Sequence, residues 1–120
     1  MKHKVQVTVG GSVREMEDNA AQGFIDAWHR AERGERFQET HLAFQSWGTL
    51  ERVLTGKRLE LLGYVRRHEV ASIRALAKAL HRDYSNVYAD VRALEGAGLL
   101  ETSEKGIRAD YDTIDTQIAI

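Results

Sequence analysis

The segment "HRDYSNVYADVR", residues 81–92, gathers Arg82, Ser85, Asn86, Tyr88, Ala89 and Arg92 into one short stretch. Guanidinium, amide and hydroxyl groups can hydrogen-bond to base edges and phosphate oxygens, and a small Ala89 can touch a thymine methyl. Lys105 and Arg108 follow, in or beside a turn, where they would meet backbone or minor groove. The chemistry on offer is recognition of a nucleic acid. Nothing in the chain has catalytic spacing: His3, His29, His41, His68 and His81 form no HxxxH or HExxH pattern, and no glycine-rich loop ends in Lys-Ser or Lys-Thr. Asp26 and His29 stand at i, i+3 and could be drawn as a dyad, but such a pair is far more often a surface contact. No three residues converge as metal ligands, and the absence of cysteine removes thiolate catalysis, disulfides and zinc ribbons. The expectation is a binding protein, not an enzyme, with no cofactor and no metal.

A helix that carries such side chains into a major groove needs one apolar face and one free face. A helix starting near Asp83 or Ser85 buries Val87, Val91 and Leu94 at i, i+4 and i+7. At about 100° per residue this leaves Ser85, Ala89 and Arg92 pointing away, with Asn86, Tyr88 and Asp90 on the flanks. Gly98 offers a left-handed stop with Leu99 packing behind it. Upstream, Ser72 caps "IRALAKAL", where Ile73, Leu76, Ala77 and Leu80 share a face, and "HRD" breaks the pattern. Before that, "TLERVL" reads as a short helix, and Thr55 caps "KRLELLGYVRRH" with Leu59, Leu62 and Val65 on one face. After the last helix, "LLETSE" and "IRADYD" flank "KG" as a hairpin. Three helices with a tight break between the second and third, followed by a hairpin, predict an α+β winged helix-turn-helix.

Within that frame Asn86 is placed to read a base edge, and Arg82, Lys105 and Arg108 to neutralise phosphate, while Arg92 is long enough for either. Tyr84 and Tyr88 suit boundary packing at least as well as readout. Asp90 should avoid phosphate and pair with a nearby arginine.

The rest of the chain is small. Its 120 residues, 42% hydrophobic, can bury one modest core. "KVQVTV" alternates, with Val5, Val7 and Val9 on one face; Ala20, Phe24, Ala27, Trp28 and Ala31 form a helical stripe that Gly34 ends; "ETHLAFQSW" alternates again through Thr40, Leu42 and Phe44. Residues 1–47 are therefore predicted as a strand-helix-strand extension, 48–111 as the winged helix-turn-helix, and 112–120 as a C-terminal strand or tail in which Ile114, Thr116, Ile118 and Ile120 alternate. The strand edges at both ends predict a homodimer. Net charge is −1, but residues 57–108 hold ten Lys and Arg against seven acids, so the basic surplus coincides with the candidate contacts. No run approaches the roughly 18 apolar residues of a spanning helix, and with no signal peptide the expectation is a cytoplasmic protein.

The stretch from Phe44 to Glu101, through "VLTGKRLELL", "SIRALAKAL" and "RDYSNVYADVRALEGAGLL", resembles a family of small archaeal and bacterial MarR-like DNA-binding proteins, predicted transcriptional regulators. Members resembling this chain also occur as antitoxins beside small toxins. The resemblance implies a winged helix that binds double-stranded DNA and regulates transcription, with an autoregulating antitoxin as one form and a cognate toxin as a further partner. Two positions depart from the pattern: Gly56 replaces a proline after the threonine, and His81 a glycine before "RDY". A winged-helix adaptor that binds protein instead of DNA is the rival reading, because a fold alone does not fix function.

Overall fold

The computed structural model describes residues 2–10 and 37–120. The helical stripe from Ala20 to Ala31, its stop at Gly34 and the Asp26–His29 pair lie outside the described residues. The chain divides into two compact units, Met1–Leu50 with Tyr111–Ile120, and Glu51–Asp110.

In the first unit, β1 (Lys2–Val9) is the middle strand of a three-stranded sheet, with β2 (Phe37–Phe44) and β5 (Thr113–Ile118) parallel to it on either side. Val5 pairs with Thr40 and Ile114, Val7 with Leu42 and Thr116, and Val9 with Phe44 and Ile118. Val5, Val7 and Val9 are buried, as their alternation requires, and Phe44 is buried beside them in the core. The alternating C-terminal segment is thus the third strand of the N-terminal sheet. Helix α1 (Trp47–Val53) begins where the Ser46 hydroxyl accepts from the Thr49 amide at 3.3 Å.

The second unit holds the last turn of α1, from Glu51 to Val53, and then α2 (Gly56–Arg67), capped by Thr55, whose Oγ1 accepts from the Arg58 amide at 3.3 Å. The helix starts at Gly56 without a proline. Its buried residues are Leu61, Leu62 and Val65, whereas Leu59, expected on the inner face, is 48% exposed. The reason is electrostatic. Arg58 occupies the inner face because its guanidinium meets Asp90 there, and the stripe turns so that 58, 61, 62 and 65 point inward. Apolar residues alone place the stripe too far toward Leu59.

Helix α3 (Ile73–Leu80) is capped by Ser72, whose Oγ accepts from the Ala75 amide at 3.1 Å, and it buries Leu76 and Ala77. His81 then adopts φ 55°, ψ 45°, and two crossed bonds close the helix: His81 N–H to the Lys78 carbonyl at 3.2 Å and Arg82 N–H to the Ala77 carbonyl at 3.0 Å. This is a Schellman ending with histidine in the left-handed position. Helix α4 (Tyr84–Gly96) follows at once, its N-cap Asp83 accepting from the amides of Ser85 at 3.0 Å and Asn86 at 3.4 Å. Val87, Val91 and Leu94 are fully buried. The same crossed pattern ends α4, with Gly98 at φ 83° and Leu99 N–H donating to the Leu94 carbonyl at 2.9 Å.

Strands β3 (Glu101–Ser103) and β4 (Gly106–Arg108) form an antiparallel hairpin in which Ser103 faces Gly106, so Glu104 and Lys105 are the turn, one residue earlier than "KG" predicts. The shift has a cause. Ile107 N–H donates to the Val70 carbonyl at 2.9 Å, forming an isolated bridge to the segment between α2 and α3. Gly106 passes so close to that segment that a Cβ would lie 2.1 Å from the Val70 carbonyl oxygen, and its φ is 120°. Only glycine fits, so it is needed in the strand and not in the turn. The described residues thus form an α+β protein with four helices and two small sheets. No helix among them is long and apolar enough to cross a membrane.

Candidate nucleic-acid interface

The site is built by α4. Because Val87, Val91 and Leu94 face the core, Ser85, Asn86, Tyr88, Ala89 and Arg92 are all exposed on the other side. Asp83 fixes the start of this face, since its carboxylate holds the first free amides of the helix.

Two tyrosines run along it. Tyr84 is 45% exposed and Tyr88 41%, with ring centroids 6.1 Å apart. A cation stands at each end of the pair: Arg74 Cζ lies 5.5 Å from the Tyr84 centroid, and Arg92 Cζ lies 5.1 Å from that of Tyr88. The result is a row of four, Arg74, Tyr84, Tyr88 and Arg92, in which each cation rests on an aromatic face. Neither tyrosine serves as interior packing. Sequence reasoning missed Arg74 because it belongs to α3 and reaches Tyr84 only after the His81 turn folds the two helices together. The i, i+4 spacing of the tyrosines was the available signal.

Arg92 is held from its other side too. Its Nη1 donates to Glu95 Oε1 at 2.9 Å, and the second oxygen of Glu95 accepts from the Thr102 hydroxyl on β3. The Thr102 hydrogen bond, and then the Arg92 charge, keep the Glu95 carboxyl below its usual range. Tyr88, and then Glu95, raise the Arg92 pKa further above the ordinary arginine value. Glu95 was not among the residues expected here.

Arg82 is placed differently from its expected role. Its Nη2 lies 2.7 Å from Asp90 Oδ2, and Arg58 Nε lies 3.0 Å from Asp90 Oδ1, with all three side chains largely buried. Arg58 Nη1 also donates to the carbonyls of Arg52 at 2.7 Å and Val53 at 3.0 Å, satisfying the end of α1. Burial pushes the Asp90 carboxyl up, but hydrogen bonds and charge from Arg82 and Arg58 outweigh it and leave the pKa below the usual value. Asp90 therefore has the structural ion pairing expected of it, and Arg82 is one of its partners, turned inward and away from the exposed face.

Basic side chains bracket α4. Arg74, Lys78, His81 and Arg82 line a cleft of about 530 Å³ beside its N-terminus. On the hairpin, Lys105 is exposed in the turn, and Arg108 is exposed with Nη2 3.3 Å from Asp110 Oδ1. These two also line a cleft of about 700 Å³ with Arg66, Arg67 and His68 at the end of α2. The arrangement is a helix face of hydrogen-bonding groups flanked by cations.

Among protein families, residues 53–116 match the one described as HVO_A0114, which covers more than half of the chain, including α2 to α4 and the hairpin. No curated protein and no solved structure matches the chain.

Proposed function

We propose, from the premise that this chain belongs to the HVO_A0114 family, that it is a double-stranded DNA-binding regulator of transcription. It works as a cytoplasmic homodimer and places α4 in the major groove. The reading treats α2, α3 and α4 as the helices of a MarR-like winged helix-turn-helix, and the β3–β4 hairpin, anchored at Val70, as its wing.

One observation carries this reading: the exposed face of α4 holds Ser85, Asn86, Tyr88, Ala89 and Arg92 and no aliphatic side chain larger than alanine. An adaptor surface would be expected to offer an apolar or acidic patch at this position. Lys105 and Arg108 on the hairpin, and Arg74 and Lys78 on α3, stand where they can neutralise phosphate on either side of the groove. Arg82 contributes by holding the start of α4 through Asp90. The autoregulating antitoxin is the form implied by the MarR-like resemblance, which makes the DNA upstream of the protein's own gene the first duplex to try.

The test is a titration of that duplex, and of a site selected from random sequence, at several salt concentrations. Binding should weaken steeply with salt. Asn86→Ala should cost about 1 to 3 kcal/mol on the selected site and much less on a scrambled duplex. Absence of salt-sensitive binding to any duplex, together with a partner protein that shields Ser85, Ala89 and Arg92 from solvent, would establish the adaptor instead.

A further inference from the structure

We propose that Arg92 is a preassembled reader of guanine, held in its reading position by Tyr88 and Glu95, with Thr102 joining that assembly to the hairpin. The inference rests on the reading of α4 as the groove helix and names what one residue of that helix recognises.

Arg92 is half exposed, yet it is fixed on two sides. Tyr88 lies against its guanidinium, with Cζ 5.1 Å from the ring centroid, and Glu95 takes one hydrogen of Nη1 at 2.9 Å. Glu95 cannot swing away easily, because Thr102 binds its other oxygen from β3. An arginine free to search for phosphate has none of these restraints. A guanidinium already stacked and paired loses less freedom when it docks.

The pairing also selects the target. A phosphate approaching Arg92 would bring its negative charge toward the Glu95 carboxylate, so attraction by one group is offset by repulsion from the other. Guanine carries no net charge and presents two acceptors, O6 and N7, on its major-groove edge. A guanidinium has five N–H groups, so Arg92 keeps donors beyond the one given to Glu95 with which to meet them. A locally neutral ion pair therefore favours a base edge over the backbone. By contrast, Lys105 is exposed at the tip of the hairpin, in its turn, as suits backbone neutralisation. Glu95 and Thr102 are positioning residues: both Glu95 oxygens are already occupied within the protein.

The experiment uses the full chain and a duplex site selected by it, with each guanine replaced in turn by 7-deazaguanine, which lacks the N7 acceptor. At one guanine per half-site this change should weaken wild-type binding on the order of tenfold and leave the already weakened Arg92→Ala protein unaffected. Arg92→Lys should retain the salt slope and weaken the preference for that guanine, because an ammonium lacks the planar fork that Tyr88 and Glu95 hold in place. Glu95→Gln, checked for an unchanged melting temperature, should reduce the same preference with no loss of binding to a scrambled duplex. The proposal is overturned if Arg92→Ala weakens selected and scrambled duplexes alike and lowers the salt slope, which marks a phosphate contact and leaves the DNA-binding reading standing. Failure of the wild type to bind any duplex overturns both.

Discussion

Asp90 concentrates two roles in one carboxylate, because it neutralises Arg58 and Arg82 and, through them, ties α2 and the His81 turn to α4. Removing it leaves two largely buried guanidinium groups without a counter-charge, so Asp90→Ala should lower stability by roughly 3 kcal/mol. Its folded pKa is depressed, so the stabilisation is fully present above the unfolded value of about 3.9 and is lost as pH falls through the lower folded value. Denaturant melts from pH 6 down to pH 2 should therefore show a steep acid loss in the wild type that Asp90→Asn flattens; parallel curves would remove the ion pair from the account. His81 carries backbone strain, since φ 55° is a conformation that glycine adopts freely and other residues adopt at a cost. His81→Gly should raise stability by about 1 kcal/mol, visible as a higher melting temperature. The sequence makes the Asp90 ion pair legible but not the identity of Arg82 as its partner. The two residues are eight apart and meet only across the turn, so spacing along a helix cannot reveal the pair.

At the scale of elements, what can be read from the chain is what local chemistry decides. Thr55, Ser72 and Asp83 cap their helices, and Gly98 ends α4, because a hydroxyl, a carboxylate or a missing Cβ acts within four residues of itself. The inner face of α2 and the register of the hairpin turn are set by contacts distant in sequence, Arg58 with Asp90 and Gly106 with Val70, and neither is legible from pattern alone. The same reasoning predicts that the hairpin is the most easily detached element of the second unit. Gly106→Ala adds a backbone strain of about 1 to 3 kcal/mol to a collision with the Val70 carbonyl. Amide exchange should show Ile107 losing protection while Val87 and Val91 keep theirs; equal loss in α4 would mean that hairpin and helix unfold as one.

The whole molecule raises the question of assembly. Ile118 lies on β5 at one side of the described sheet and is 51% exposed, an unusual position for a large aliphatic residue. If the sheet unit makes the proposed homodimer through that strand, Ile118→Lys should leave the melting of residues 51–110 unchanged and shift the protein toward monomer in sedimentation at micromolar concentration. A wild type that sediments as monomer there would end the dimer reading. The sheet has another consequence, which concerns time instead of geometry. Lys4 pairs with Thr113 and Val9 with Ile118 in parallel register, so the central strand leaves the ribosome long before one of its two neighbours exists. The unit from Glu51 to Asp110 is made in the interval and needs no strand from outside itself for its hairpin or its helix turn. Because chains are threaded N-terminus first and distant pairings close slowly, the helical unit can be complete while β1 still lacks its β5 partner. The edge of β1 that β5 will cover is then an unpaired strand edge that a nascent chain has to keep protected.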